Sequence, residues 1–148
     1  MKTFYDEESM IAFGEKLASY LFENAIITLT GDLGAGKTTF TKGIGKGLKI
    51  NKIINSPTFT IVKVYQGTLP LYHFDAYRLE DSDCELGFEE MFEAGGVSVI
   101  EWPQFIEEIL PLERLEIEII KNDDQSRTFQ LKAIGQKYEN IIKEIEND

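Results

Sequence analysis

Two periods of apolar residues alternate along this chain. After Asp6, a side chain suited to capping a helix, Met10, Phe13, Leu17 and Leu21 fall three or four residues apart, flanked by Ile11, Ala18 and Phe22. That spacing predicts a helix of about four turns with one buried face. Ala25–Thr30 (AIITLT) is a short apolar, β-branched run, the pattern of a strand buried on both faces. A glycine-rich stretch follows, and then Phe40, Ile44 and Leu48 at a spacing of four predict a second helix. Gly43, Gly45 and Gly47 weaken that helix, so it either packs closely or frays early.

Further on, Phe59–Tyr65 and Leu71–Asp75 read as strands of one hairpin around the turn Gln66–Pro70. The acidic stretch from Asp81 to Ala94 predicts an amphipathic helix closed by Gly95 and Gly96. Val97–Ile100 predicts a buried strand, and Gln104–Leu110 a short helix stopped by Pro111. Arg114–Lys121 and Arg127–Ala133 form a second hairpin about Asn122–Ser126. Tyr138, Ile141, Ile142 and Ile145 lie on one face of a last helix. The order of elements predicts an α/β fold, a P-loop-like three-layer sandwich with a mixed central sheet, hairpins and flanking helices. With 148 residues and no linker or repeat, positions 1–148 are expected to form a single domain.

Composition narrows the partners. The formal net charge of −11 repels polyanions, and the lysines are scattered in sequence with arginine only at 78, 114 and 127. Direct, tight nucleic-acid binding is therefore not expected. No apolar run is long enough for a membrane span, and the N-terminus turns acidic at once, unlike a signal peptide. Cys84 as the only cysteine excludes an intrachain disulfide, and a cytoplasmic location is expected.

The chemistry is concentrated in Gly31-Asp32-Leu33-Gly34-Ala35-Gly36-Lys37-Thr38, which matches G-x-x-x-x-G-K-[ST] at every defined position. Glycines let such a backbone wrap closely and turn its N–H groups toward phosphate oxygens. The helix that follows adds its N-terminal N–H groups. Gly34, Ala35 and Gly36 are thus expected to line the phosphates. Lys37 is expected to reach the β- and γ-phosphates, Thr38 to complete the coordination of Mg²⁺, and Thr39 to bond an α-phosphate oxygen. Chance matches to this octet are rare, and a buried strand before it and a helix after it make them rarer.

A P-loop site needs a further acid near the metal, and two compete. Glu101 ends the apolar run Val97–Ile100, whereas Asp75 ends the more alternating Leu71–Phe74. Ser56–Thr60 is a hydroxyl-rich loop of the kind that senses a γ-phosphate, although taken alone a strand start capped by small polar residues explains it better. His73 is better explained as a strand histidine bonded to a neighbour than as a general base, and Trp102 as packing beside a core strand. Arg78 suits either a phosphate or a neighbouring acid. Cys84 has no basic neighbour to activate it, and the acidic residues 80–93 suit a solvated helix face.

Taken together, GDLGAGKTT, SPTFT, HFDAYRL and IEWP closely resemble the TsaE family of bacterial P-loop proteins, over nearly the whole chain up to the Arg127 region. The resemblance implies a cytosolic, Mg-dependent ATPase that serves threonylcarbamoyl modification of the adenosine beside the anticodon in tRNA. It implies action on the two-protein complex that performs the transfer, with tRNA met only through that complex. Residue by residue, it makes Lys37, Thr38 and Thr39 phosphate and metal contacts, Glu101 the Mg²⁺ acid and Asp75 an acid needed for hydrolysis. It also makes Thr60 a γ-phosphate sensor, and puts Glu7 and Arg127 where relatives close around the nucleotide. Ala76 departs from the leucine common in relatives, a matter of local packing. Other classes fit less well. A small-molecule kinase needs more basic residues than three single arginines supply. A regulatory GTPase needs an Asn-Lys-x-Asp motif that Asn51-Lys52-Ile53-Ile54 does not complete. A non-hydrolysing nucleotide-binding adaptor remains the alternative.

Overall fold

The computed structural model describes residues 2–32, 34–54, 62–79 and 87–146, excepting the side chains of Arg78 and Leu79. Among the described residues, seven strands form one sheet in the order β1-β7-β6-β2-β5-β4-β3. They are β1 (Lys2–Phe4), β2 (Ile26–Thr30), β3 (Val62–Tyr65), β4 (Leu71–Asp75), β5 (Val97–Glu101), β6 (Arg114–Lys121) and β7 (Arg127–Ile134). The centre β4-β5-β2-β6 is parallel, and each margin is closed by antiparallel pairing. The mixed sheet expected from sequence is thus present. β1 was not foreseen, because three residues are too few to display an alternation. Pairing of Lys2 with Phe129 and of Phe4 with Arg127 makes it a strand.

Among the described residues, four α-helices accompany the sheet: α1 (Glu7–Ala18), α2 (Lys37–Gly47), α3 (Phe88–Phe92) and α4 (Gln136–Glu146). α1 is capped by Asp6, whose carboxylate accepts from Ser9 N at 2.7 Å, and it ends a turn earlier than the apolar spacing predicted. The short helix expected at Gln104–Leu110 is present as a 3₁₀ segment at Pro103–Ile109. Trp102, left-handed at φ 57°, precedes it, and Ile106 breaks its helical geometry. Of the acidic helix expected over 81–94, the part that is described is α3; positions 80–86, with Cys84, lie outside the described residues.

The glycines of α2 serve close packing. A Cβ on Gly43 would stand 2.2 Å from Ile11 O, and one on Gly14 of α1 would stand 2.6 Å from Phe40 O. The two helix backbones touch there, which no larger residue permits. This contact sets α2, and hence the loop before it, against the sheet.

Alternation along β2 and β5 feeds two cores. Ile27, Leu29, Val97 and Val99 join α1, α2 and α4 on one face. Ile26 and Ile100 join Phe74, Phe88 and Phe92 on the other. The second layer covers only part of the sheet. Beyond β2 that face carries Thr28, Glu116, Glu118, Gln130 and Lys132 along an open groove. The lysines are less scattered than the sequence suggested. No acid lies between Asp32 and Asp75, and Lys42, Lys46, Lys49 and Lys52 border one groove beside exposed Ile53. Among the described residues, no helix is long and apolar enough to cross a membrane.

Candidate phosphate-binding site

β2 carries the chain from the middle of the sheet to Thr30, and α2 starts seven residues later. The connection turns through two left-handed residues, Gly34 at φ 81° and Gly36 at φ 110°. A Cβ on Gly36 would also lie 2.3 Å from Met10 Cε of α1. Gly36 occupies the cap position of α2 without a side chain to bond the first turn. The N–H groups of that turn are therefore left to an anionic ligand, with the helix dipole behind them. Thr38 and Thr39 lie in the same turn, each half-buried.

Lys37 is buried at 7% exposure, and its Nζ donates to Gly31 O at 2.6 Å, folding the ammonium across the loop. The Trp102 ring lies 4.4 Å from Nζ, a cation–π distance. Burial pushes the Lys37 ammonium below its ordinary pKa, while the charges of Glu101, Asp75 and Asp32 pull it back up.

The loop is braced from behind. Arg127 Nε donates to Ala35 O at 2.9 Å and Nη2 to Gly34 O at 3.3 Å, with Nη1 bonded to Gln125 O. Fixing those carbonyls holds the loop curled, as a phosphate nest requires. Phe129, two residues along β7, meets Phe4, Phe13 and Phe40 with ring centroids 5.1, 5.7 and 5.2 Å away. That cluster ties the brace, α1 and the first turn of α2 into one body. Glu7 is exposed at the start of α1, one turn before Met10.

Across the cleft, parallel pairing sets Asp75 beside Glu101 at the ends of β4 and β5. Glu101 is 4% exposed and its Oε2 lies 2.6 Å from Nε2 of His73, which is fully buried. Asp75 Oδ1 accepts from Tyr77 N at 3.0 Å. Burial, reinforced by the Glu101 charge, holds the Asp75 carboxyl above the usual range. The Tyr77 N–H, His73 and Lys37 oppose that rise. After Glu101 the chain turns at left-handed Trp102, whose ring also packs on Tyr77 and Phe105 with centroids 5.1 and 6.4 Å away.

Residues 4–129 match the family model described as threonylcarbamoyl adenosine biosynthesis protein TsaE. The chain belongs to the TsaE family. It is therefore a protein of tRNA threonylcarbamoyladenosine biosynthesis. It is 48% identical over 139 residues to the TsaE protein of Bacillus subtilis, covering 93% of this chain and 88% of the relative. It is 40% identical to that of Haemophilus influenzae, covering 96% and 94%. The crystal structure of Bacillus subtilis YdiB superposes with a TM-score of 0.88 at 41% identity, covering 99% of this chain and 93% of that one.

In this TsaE-family fold, Gly34, Ala35, Gly36, Lys37, Thr38 and Thr39 form the loop and the first turn of α2, the charges of Asp75 and Glu101 act on Lys37, Arg127 lies behind the loop, and Glu7 is exposed at the start of α1. Thr60 and the rest of Ser56–Thr60 lie outside the described residues, as does the Arg78 side chain. His73 does bond a neighbour, and that neighbour is Glu101. Trp102 packs as expected, but it also covers the Lys37 ammonium, which sequence reasoning missed. The available signal was its position, one residue past the strand that pairs with β2.

Proposed function

We propose that this chain binds Mg-ATP in the cleft between the P-loop and the ends of β4 and β5. It hydrolyses ATP to reset the two-protein complex that transfers threonylcarbamoyl to tRNA in the cytoplasm. The observation that carries this reading is the left-handed Gly34–Gly36 turn into uncapped α2, with the Lys37 ammonium inside it. Family membership and its pathway support the coupling to tRNA modification. The charge of −11 supports contact with tRNA through the partner complex only.

The donor set suits Mg²⁺. Among the described residues no three His, Cys, Asp or Glu side chains form a metal cage. One hydroxyl and one or two carboxylates suit an ion that draws its other ligands from phosphate and water. Thr38 and Glu101 would hold it, and it would neutralise charge on the β- and γ-oxygens. Lys37 leaves Gly31 O for the phosphates, while N–H groups of the loop and Thr39 hold the non-transferring end. Asp75, with its raised pKa, orients the attacking water and accepts its proton. Thr60 senses the γ-phosphate, Glu7 closes the nucleotide side, and Arg127 supports the site by holding the loop from behind.

The test is ATP hydrolysis by the pure chain, then with both partner proteins and a tRNA acceptor added. Slow turnover alone and faster turnover in the assembly are expected. Tight Mg-ATP binding without turnover in either setting would leave the adaptor alternative.

A further inference from the structure

His73 is fully buried, yet only one of its ring nitrogens is used. Nε2 lies 2.6 Å from Glu101 Oε2, while Nδ1 is buried with no hydrogen-bond partner among the described residues. A carboxylate oxygen accepts, so the contact places a proton on Nε2 and leaves the polar Nδ1 unpaired. An unpaired buried polar atom is destabilising. An apolar side chain would fill the same space without that loss, so packing alone does not account for an imidazole here. What the ring supplies is one donor aimed at one oxygen.

The register explains the aim. Asp75 pairs with Glu101 and His73 with Val99, so His73, Asp75, Val99 and Glu101 share one face of the parallel pair. The imidazole spans the diagonal from β4 to the end of β5. Glu101 is the last residue of β5, just before the chain swings at Trp102 over Lys37. A glutamate at a strand end has three rotatable bonds, and the contact to Oε2 removes its freedom.

Resting on the function proposed above, we propose that His73 is a positioning residue for Glu101. Its Nε2–H pins Oε2 and so presents Oε1 to the Thr38 side of the P-loop, where the Mg²⁺ of the nucleotide is held. Hydrogen-bonding partners of metal-binding side chains commonly contribute tenfold or more to metal affinity. His73 therefore acts on the metal-dependent part of nucleotide binding and leaves the N–H and Lys37 contacts untouched.

Calorimetric titration with ADP in Mg²⁺ and in EDTA separates the two parts. His73→Leu should weaken binding in Mg²⁺ about tenfold while changing affinity in EDTA by less than about twofold. His73→Gln, whose amide N–H reaches the Nε2 position, should restore most of the loss. His73→Asn, whose shorter amide reaches only the Nδ1 position, should behave like His73→Leu. If His73→Leu does not fold, the contrast between Gln and Asn decides alone. Equal losses in Mg²⁺ and EDTA, or Asn and Gln behaving alike, would overturn the proposal and leave His73 a structural residue. A wild-type affinity that ignores Mg²⁺ would instead remove the metal reading on which it stands.

Discussion

On one side of the proposed site, Gly34, Gly36, Lys37, Thr38 and Thr39 follow one another along six residues, and the backbone itself forms the wall. On the other side, Asp75, Glu101 and His73 come from two strands far apart in sequence and meet only through the register of β4 on β5. The first wall is made rigid from behind, by Arg127 on the Gly34 and Ala35 carbonyls and by four phenylalanines. The second is set by side-chain contacts, His73 to Glu101 and Trp102 over Lys37. A wall made of backbone can bind any phosphate chain, with or without a metal. A wall made of carboxylates can act on a phosphate chain only through a cation or a water. Both walls also hold charges their surroundings oppose, since burial lowers the Lys37 pKa and raises that of Asp75. Such perturbed groups facing each other are characteristic of a site shaped for a ligand.

The sharpest way to break the comparison is to remove the scaffold of the first wall. Phe129 is fully buried against three other rings. Phe129→Ala should destabilise the protein by about 3–5 kcal/mol, because the cavity can collapse only partly. Chemical denaturation checks it; a loss below about 1 kcal/mol would mean that the cluster is not what holds the P-loop in place. Next comes Lys37→Ala, which should lower ATP turnover about a hundredfold or more, since the charge on the transferring phosphoryl loses its partner. Its Tm should stay within about 3 °C of wild type, because the lost bond to Gly31 O is offset by removal of an ammonium that burial disfavours.

How much of each wall is legible in sequence follows from the same difference. The P-loop can be read directly because local backbone chemistry fixes it: glycines where φ is positive, then lysine and threonine on the first helical turn. The acids can be named as strand-end candidates, but their adjacency depends on which strands pair and in what register, and that is a long-range property. The His73–Glu101 contact was legible only as a histidine with some neighbour. Trp102 was read as packing because nothing local signals that its residue turns left-handed and swings the ring over Lys37. The lysines looked scattered because a helical spacing and a following loop spread one groove over positions 42–52. β1 was missed because only its partner strand makes it a strand.

Three substitutions of intermediate effect sharpen the division of labour between the walls. Arg127→Ala frees the P-loop carbonyls, so it should weaken nucleotide binding about tenfold whether or not Mg²⁺ is present. Glu101→Gln should weaken it by a similar factor only in Mg²⁺, while Asp75→Asn should bind Mg-ATP nearly normally and turn it over poorly. Titration calorimetry and single-turnover hydrolysis on the three variants make the check. If Asp75→Asn loses affinity and Glu101→Gln loses only rate, the two acids have exchanged roles.

The smallest effect concerns stability, and it isolates the strain in the second wall. Asp75 has a carboxyl whose pKa is raised in the folded chain, chiefly by burial and then by Glu101, against the pull of the Tyr77 N–H, His73 and Lys37. A group raised on folding binds its proton more tightly in the native state than in the unfolded chain. Its contribution to stability is therefore full below the ordinary carboxylate pKa and is lost as pH rises through the raised value. Once ionised, Asp75 is a net burden on the fold. Asn keeps the oxygen that accepts from Tyr77 N and carries no charge to desolvate. Asp75→Asn should accordingly melt slightly above wild type at pH 7, with the gap closing as the pH is lowered past the ordinary carboxylate range. Thermal melts of both proteins across that range decide it. A variant that melts lower at pH 7, or a gap that widens on acidification, would mean that Asp75 is held by favourable contacts and that the second wall stores no strain for a ligand to relieve.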